Sequence, residues 1–257
     1  MEIDIFDRNN IELYYNDIYV LDLMNRFFRR LPERYRVNYN NNLHDLTLIK
    51  SNYGKYYQDD NLLIFDKPIV LIHELMHMAS YDKYLNMDGL VDRWDNGIGI
   101  NEGMTEYLTM SATLGGSPST YYLQTFAAEM LLNLVPIFEC YFVPDYDKAG
   151  MLFKESDTFS HLIYLLDYYT CHELKENPSY DVTILLVKRI LYDLMMIGIN
   201  YKRNSYDYEI YKCYFKKKYI EYSKKYSIFR LDEVRCYLDE IMTMEYVGNK
   251  RRIKKTG

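Results

Sequence analysis

Two imidazoles and a carboxylate lie close together in one short segment, which reads His73-Glu74-Leu75-Met76-His77. Positions four apart on an α-helix point in nearly the same direction, so both imidazoles can reach one metal ion. Neutral imidazole is a good zinc ligand, and zinc lowers the pKa of a bound water. Glu74 is placed to take the proton from that water. The spacing therefore predicts a zinc site with a general base beside it.

Five residues alone do not identify a metal site, because two histidines on a helix face are often ordinary polar residues. Catalytic zinc sites usually have three protein ligands and keep a fourth position for water. A third ligand is therefore the decisive question for this chain.

The segment Asn101-Glu102-Gly103-Met104-Thr105-Glu106 offers the best candidates for that ligand. Its two glutamates are four apart and project from one helical face. The HExxH motif followed by an Asn-Glu helix resembles the gluzincins, the clan of thermolysin-like peptidases and zinc aminopeptidases. The resemblance implies that Glu102 is the third zinc ligand and that Glu106 is hydrogen-bonded to a ligand imidazole. The alternative is that Glu102 only complements the helix dipole and that Glu106 is solvated.

The resemblance covers about residues 60–110, and neighbouring families can be weighed against it. Metzincins need Gly and His three and six residues after the second His, where this chain has Ser80 and Lys83. ImmA-like regulatory peptidases also combine HExxH with a later Glu, and they stay open as an alternative.

Peptide hydrolysis also needs a donor that stabilises the developing oxyanion. Gluzincins use a downstream His or Tyr. The helix predicted at 157–175 carries four such side chains on the side opposite its apolar face: His161, Tyr164, Tyr168 and His172. His161 is the preferred candidate, because its distance along the chain from Glu102 is in keeping with the resemblance. In a chain with 30 Tyr, the same stripe is also compatible with an ordinary solvent-facing surface.

The elements that must position these residues are mostly helices. A helix is predicted from Asn9 to Leu31, a turn at residues 40–42, and short strands at 46–49 and 62–65. Asp66 is expected to cap a helix running from Ile69 to Ser80, which carries the motif. A second helix is expected from Ile100 or Asn101 to Met110. Further helices are predicted at 119–135, 157–175, 181–199, 206–226 and 231–246.

This pattern predicts an α+β, mostly helical protein with a zincin-like fold. Residues 1–115 are expected to form the lobe with the small sheet, the active-site helix and the Glu ligand, and residues 116–257 a helical C-terminal lobe. The division is also compatible with one continuous domain. In zincins the substrate backbone pairs with an exposed strand, and either 46–50 or 62–65 is expected to supply that edge.

Composition and charge limit what the protein is expected to bind and where it is expected to be located. The chain has 257 residues and a formal net charge of −6, which argues against non-specific binding of nucleic acid. No secretory leader and no apolar stretch of membrane-spanning length is expected, so the predicted location is the cytoplasm. The four cysteines have no tight metal spacing, and reduced thiols are the expectation.

These observations predict a zinc-dependent peptidase acting on a peptide or protein substrate. His73, His77 and Glu102 would hold Zn²⁺, and Glu74 and His161 would be catalytic. The alternative is a zinc-stabilised binding or regulatory module without turnover. The presence of a base beside the ligands, and the absence of a fourth ligand such as a nearby Cys, favour the enzyme.

Overall fold

Two compact units make up the part of the chain described by the computed structural model, which comprises residues 15–113, 120–153, 156–175, 180–202 and 204–246. The first unit contains described residues up to 89, together with 105–113 and 139–145. The second contains residues 90–104 and the described residues of 118–138 and 146–257. The expected division of the chain near residue 115 stays a prediction.

The first unit is built around the helix that carries the motif. In chain order its elements are α1 (Tyr15–Arg29), α2 (Val37–Leu43), β1 (Thr47–Lys50), β2 (Lys55–Tyr57), β3 (Leu62–Phe65), α3 (Pro68–Ser80) and the two-residue strands β4 (Tyr81–Asp82) and β5 (Met87–Asp88). Single 3₁₀ turns at Glu33–Tyr35 and, in the second unit, at Ser227–Arg230 complete the set.

Helix α3 begins with Pro68, whose fixed φ suits a first helical position and whose missing N–H is not needed there. The predicted cap was wrong: the residue at the cap position is Lys67, and it makes no side-chain capping bond. The helix is instead held by its apolar face, where Leu71, Leu75 and Met78 are fully buried. Burial of this kind outweighs the contribution of a single cap.

The small sheet has the strand order β1-β3-β2, with β1 parallel and β2 antiparallel to β3. Strands β1 and β3 were predicted, whereas β2 was missed because it lies in a segment rich in turn residues. The central position of β3 corrects one expectation: Leu62–Phe65 cannot supply an exposed edge. Among the described strands, the edges of this sheet are β1 and β2.

Helix α2 replaces the turn that was predicted at residues 40–42. Its Asn42 is 2 % exposed, and its side-chain amide donates to the carbonyls of Met78 (2.8 Å) and Tyr81 (2.7 Å) at the end of α3. Asparagine is a poor helix former, so this tertiary pairing determines the local structure.

Helix α4 (Ile98–Ala112) continues through both units, with residues up to Met104 in the second and residues from Thr105 in the first. It is a little longer than predicted at both ends. The second unit continues with α5 (Tyr122–Leu132), α7 (Tyr146–Leu152), α8 (Ser156–Lys175), α9 (Tyr180–Tyr201), α10 (Ser205–Ser223) and α11 (Asp232–Met242), while the short α6 (Phe138–Phe142) belongs mainly to the first. The predicted α+β, mostly helical class is confirmed.

Two glycines allow α4 to approach the backbone of neighbouring helices. A Cβ atom at Gly99 would lie 2.6 Å from the carbonyl oxygen of Leu166 in α8, and one at Gly103 would lie 2.2 Å from that of Gln124 in α5. Neither oxygen can move aside as a flexible side chain would. Glycine at these positions therefore sets how closely the ligand helix packs.

Gly103→Ala is expected to destabilise the protein by about 1–3 kcal/mol, because the added methyl group overpacks a rigid backbone contact. Urea unfolding followed by circular dichroism measures the change. Gly150→Ala is the matched control: it is also helical, in α7, and a Cβ there meets nothing within 4 Å. Equal stability of the two variants would contradict the close packing of α4 on α5.

In the described part of the chain, no helix combines the length and the apolar character that crossing a membrane requires.

Candidate metal centre

The two histidines of the motif converge at their Nε2 atoms, which lie 3.2 Å apart. Two ligands bound to one tetrahedral zinc, each at roughly 2.0–2.1 Å, are separated by roughly 3.3 Å. The rings stand at 68° to each other with centroids 4.9 Å apart, so they meet edge to face rather than stacked. The separation of the two nitrogens matches what a shared zinc requires.

The Nδ1 atom of His73 lies 2.9 Å from Glu106 Oε2. Both side chains are largely buried, with 14 % and 7 % exposed respectively. A carboxylate acceptor keeps the hydrogen on Nδ1 and so directs the lone pair of Nε2 toward the place where a metal would bind. The structure thus brings Glu106 into contact with the imidazole of His73, one of the two candidate ligand histidines.

The Nδ1 atom of His77 lies 3.5 Å from the hydroxyl of Thr105, which in turn lies 2.7 Å from the hydroxyl of Tyr141 in α6. Neither Thr105 nor Tyr141 was singled out from the sequence. The sequence indicates Thr105 only weakly as a residue of the site, because it follows the candidate ligand Glu102 by three positions on one helix. The sequence does not indicate Tyr141, because its place depends on how α6 packs.

Glu102 lies one turn before Glu106 on α4. One carboxylate oxygen of Glu102 and one ring nitrogen from each of His73 and His77 all lie within 4.8 Å of one another. In the regions that the structure describes, these three form a group able to hold a metal ion. The structure therefore brings together the three residues predicted as ligands.

Glu74 follows the first ligand directly on α3 and is 8 % exposed. Gly54, just before β2, lies against it: a Cβ at Gly54 would come within 3.0 Å of Glu74 Oε1 and 2.1 Å of Val70 Cγ1. A side chain at this position would therefore clash with Val70 and crowd the carboxylate. Strand β2 is thus the edge strand that begins next to the predicted base.

The amino end of α4 is held by Asp167 of α8. Its two carboxylate oxygens accept from the backbone N–H groups of Gly97 and Gly99, each at 2.7 Å. Burial raises the pKa of this carboxyl, and the two donors act in the opposite direction. A carboxylate at this place satisfies backbone donors that a helix leaves unpaired at its start.

Asn101 supports the loop that precedes α4. It is 2 % exposed, and its side-chain oxygen accepts from the backbone N–H of Leu90 at 3.0 Å. The Asn of the Asn-Glu pair therefore has a structural role next to the ligand position.

His161 lies on α8, where its Nδ1 is 2.5 Å from Asp193 Oδ2 of α9. Asp193 is 3 % exposed, and burial raises the pKa of its carboxyl, while His161 and Arg189 lower it. His161 is not part of the group of three residues able to hold a metal ion, and its role as the electrophile stays a prediction. Tyr164 and Tyr168 of the same stripe are exposed, and the side chain of His172 lies outside the described part.

Comparison with protein-family models finds no match, and neither the search of curated proteins nor the search of solved structures finds a similar chain.

Glu106→Gln is expected to weaken zinc binding by about 10–100-fold, because the amide is a weaker acceptor for the His73 N–H than a carboxylate is. Competition with a chromophoric chelator measures the affinity. Glu209→Gln, at an exposed position on α10, is the control and should bind zinc as the parent does. An unchanged affinity for Glu106→Gln would show that the contact with His73 does not support a metal ligand.

Proposed function

We propose that this protein is a zinc-dependent peptidase with a zincin-like arrangement of its active-site helix, ligand helix and edge strand. One observation carries the proposal: the His73 and His77 nitrogens and the Glu102 carboxylate converge within 4.8 Å of one another. A general base, Glu74, lies directly beside the first of them in the chain.

The donor set suits zinc. Two imidazoles and one carboxylate are the ligand set of several catalytic zinc sites, in which a fourth position stays open. The contacts at Nδ1 of both histidines leave both Nε2 atoms for the metal. When bound, zinc would supply Lewis acidity, which lowers the pKa of a water and polarises a carbonyl.

Glu74 would act on the water that attacks the peptide carbonyl. Its carboxylate accepts the water's proton as the new C–O bond forms and then delivers that proton to the departing amine. The low exposure of Glu74 strengthens its electrostatic interaction with the reacting groups. The backbone at Gly54 lies close against Glu74, so strand β2 begins beside the carboxylate.

Strand β2 is the proposed docking edge for the substrate. It pairs with β3 on one side only among the described strands, and it begins next to Gly54. An extended peptide adding to this edge would donate and accept main-chain hydrogen bonds along residues 55–57. An unfolded or extended peptide segment is therefore the proposed substrate class. A location in the cytoplasm is also part of the proposal.

Removal of the metal tests the function. The purified protein, incubated with a mixed peptide library, is expected to cleave peptides after loading with zinc and to stop when a chelator is added. Added zinc should restore cleavage, and mass spectrometry of the products measures it. Tight zinc binding without any cleavage would instead favour the zinc-stabilised binding or regulatory module.

A further inference from the structure

We infer that Thr105 and Tyr141 are positioning residues that orient the imidazole of His77. The inference rests on the proposed function in one respect, namely that His77 binds a metal. It concerns a pair of hydroxyl groups on two different helices, α4 and α6, that are joined to each other at 2.7 Å.

The direction of the hydrogen bonds follows from the role of Nε2. A ring nitrogen that binds a metal through its lone pair carries no hydrogen, so the hydrogen of neutral His77 must be on Nδ1. Nδ1–H then donates to Thr105 Oγ1 across the observed 3.5 Å, which is at the long end for a hydrogen bond. Thr105 can still pair with Tyr141, because a hydroxyl offers one donor and two acceptor sites.

Burial makes these partners hard to replace. Both Thr105 and Tyr141 have 0 % exposure. Bulk water therefore does not reach the hydroxyls to substitute for either one. Removing the Thr105 hydroxyl would leave Nδ1–H of His77 without this acceptor in a buried environment, which disfavours the ring orientation that the metal needs.

The two ligand histidines are supported unequally. His73 has a carboxylate at 2.9 Å, whereas His77 has a neutral hydroxyl at 3.5 Å. A neutral acceptor orients the ring without adding negative charge near the metal. We therefore expect a loss of zinc affinity near the lower end of the roughly 10–100-fold range for partners of metal ligands.

The helix itself provides a matched control. Thr109 lies one turn after Thr105 on α4 and is 1 % exposed, and its hydroxyl has no hydrogen-bond partner among the described residues. Replacing threonine by valine removes a buried hydroxyl at either position with little change of shape. Only the change at Thr105 should alter the metal site.

The test compares zinc affinity, by chelator competition, for the parent, Thr105→Val, Thr105→Ser, Tyr141→Phe and Thr109→Val. Thr105→Val is expected to bind zinc about 10-fold more weakly, Thr105→Ser to restore the affinity and Thr109→Val to match the parent. Tyr141→Phe should show a smaller loss in the same direction. The visible spectrum of the Co²⁺-loaded protein should shift in Thr105→Val and not in Thr109→Val, because those bands report the ligand geometry.

The outcomes separate this inference from the peptidase proposal. Thr105→Val with the affinity and Co²⁺ spectrum of the parent overturns the inference and leaves the peptidase proposal standing. A parent that binds zinc without cleaving peptides overturns the peptidase proposal, while the affinities still decide the inference. A parent that binds no zinc overturns both. If Thr105→Val does not fold, the comparison of Tyr141→Phe with the parent decides, and equal affinities overturn the inference.

Discussion

Glu74→Gln is expected to retain zinc and to lose nearly all peptide hydrolysis. The amide has the shape of the carboxylate but cannot accept the proton of the attacking water. General-base catalysis contributes about 10²–10⁴-fold, so kcat should fall at least that far. Because Glu74 is not among the three proposed ligands, the zinc content measured by atomic absorption should equal that of the parent. Cleavage is measured on the peptides that the parent cuts best.

A second buried glutamate controls for the loss of a buried charge. Glu129 in α5 is 8 % exposed, as is Glu74, and forms an ion pair with Lys218 at 2.7 Å. Glu129→Gln should keep the kcat of the parent, even if it costs some stability. If Glu74→Gln cleaves peptides as fast as the parent, Glu74 is not the base.

Glu102→Gln is expected to lose zinc. A neutral amide oxygen is a poor zinc ligand, and the site would be left with two imidazoles instead of three ligands. The affinity should fall by more than the roughly 10–100-fold expected when only a partner of a ligand is removed. Isothermal titration of the metal-free protein with Zn²⁺ measures the loss, and hydrolysis at limiting zinc should fall in parallel.

Glu106→Gln provides the comparison, since it makes the same chemical change one turn later on the same helix. The order of zinc affinity should be parent, then Glu106→Gln, then Glu102→Gln. The reverse order would assign the ligand role to Glu106 and the supporting role to Glu102. Excess zinc should restore activity to Glu106→Gln at lower concentration than to Glu102→Gln.

The helices around the site could be predicted from the sequence because their apolar periodicity is strong. Helix α3 was predicted to within one residue, and α4 to within two or three at each end. Strand β2 and helix α2 could not be predicted, because tertiary contacts determine them. The hydrogen bonds of Asn42 to the end of α3 override the turn preference of three consecutive asparagines.

The residues of the candidate site also differ in whether the sequence could indicate them. The spacing places His73 and His77 on one face of α3, and Glu102 and Glu106 on one face of α4. That the two faces meet was implied by the resemblance to gluzincins. Tyr141 and Asp167 reach their partners from helices far along the chain, and no local pattern indicates them. The sequence left the edge strand open between 46–50 and 62–65, and the structure excludes only the second, because strand order within a sheet is not a local property.

The hydrogen bonds from the start of α4 to Asp167 and the close approach of Gly103 to Gln124 bear on the smallest fragment able to hold a metal ion. A truncated chain ending near residue 115 would keep all three ligand side chains. It would lose α5, which lies against Gly103 of α4, and α8, which contacts Gly99 of α4 and Gly97 just before it. The proposed carboxylate ligand would then sit on a helix that has lost these contacts, and the added entropy cost of ordering that helix would weaken metal binding. We therefore expect the 257-residue chain to bind the metal ion more tightly than a chain truncated near residue 115.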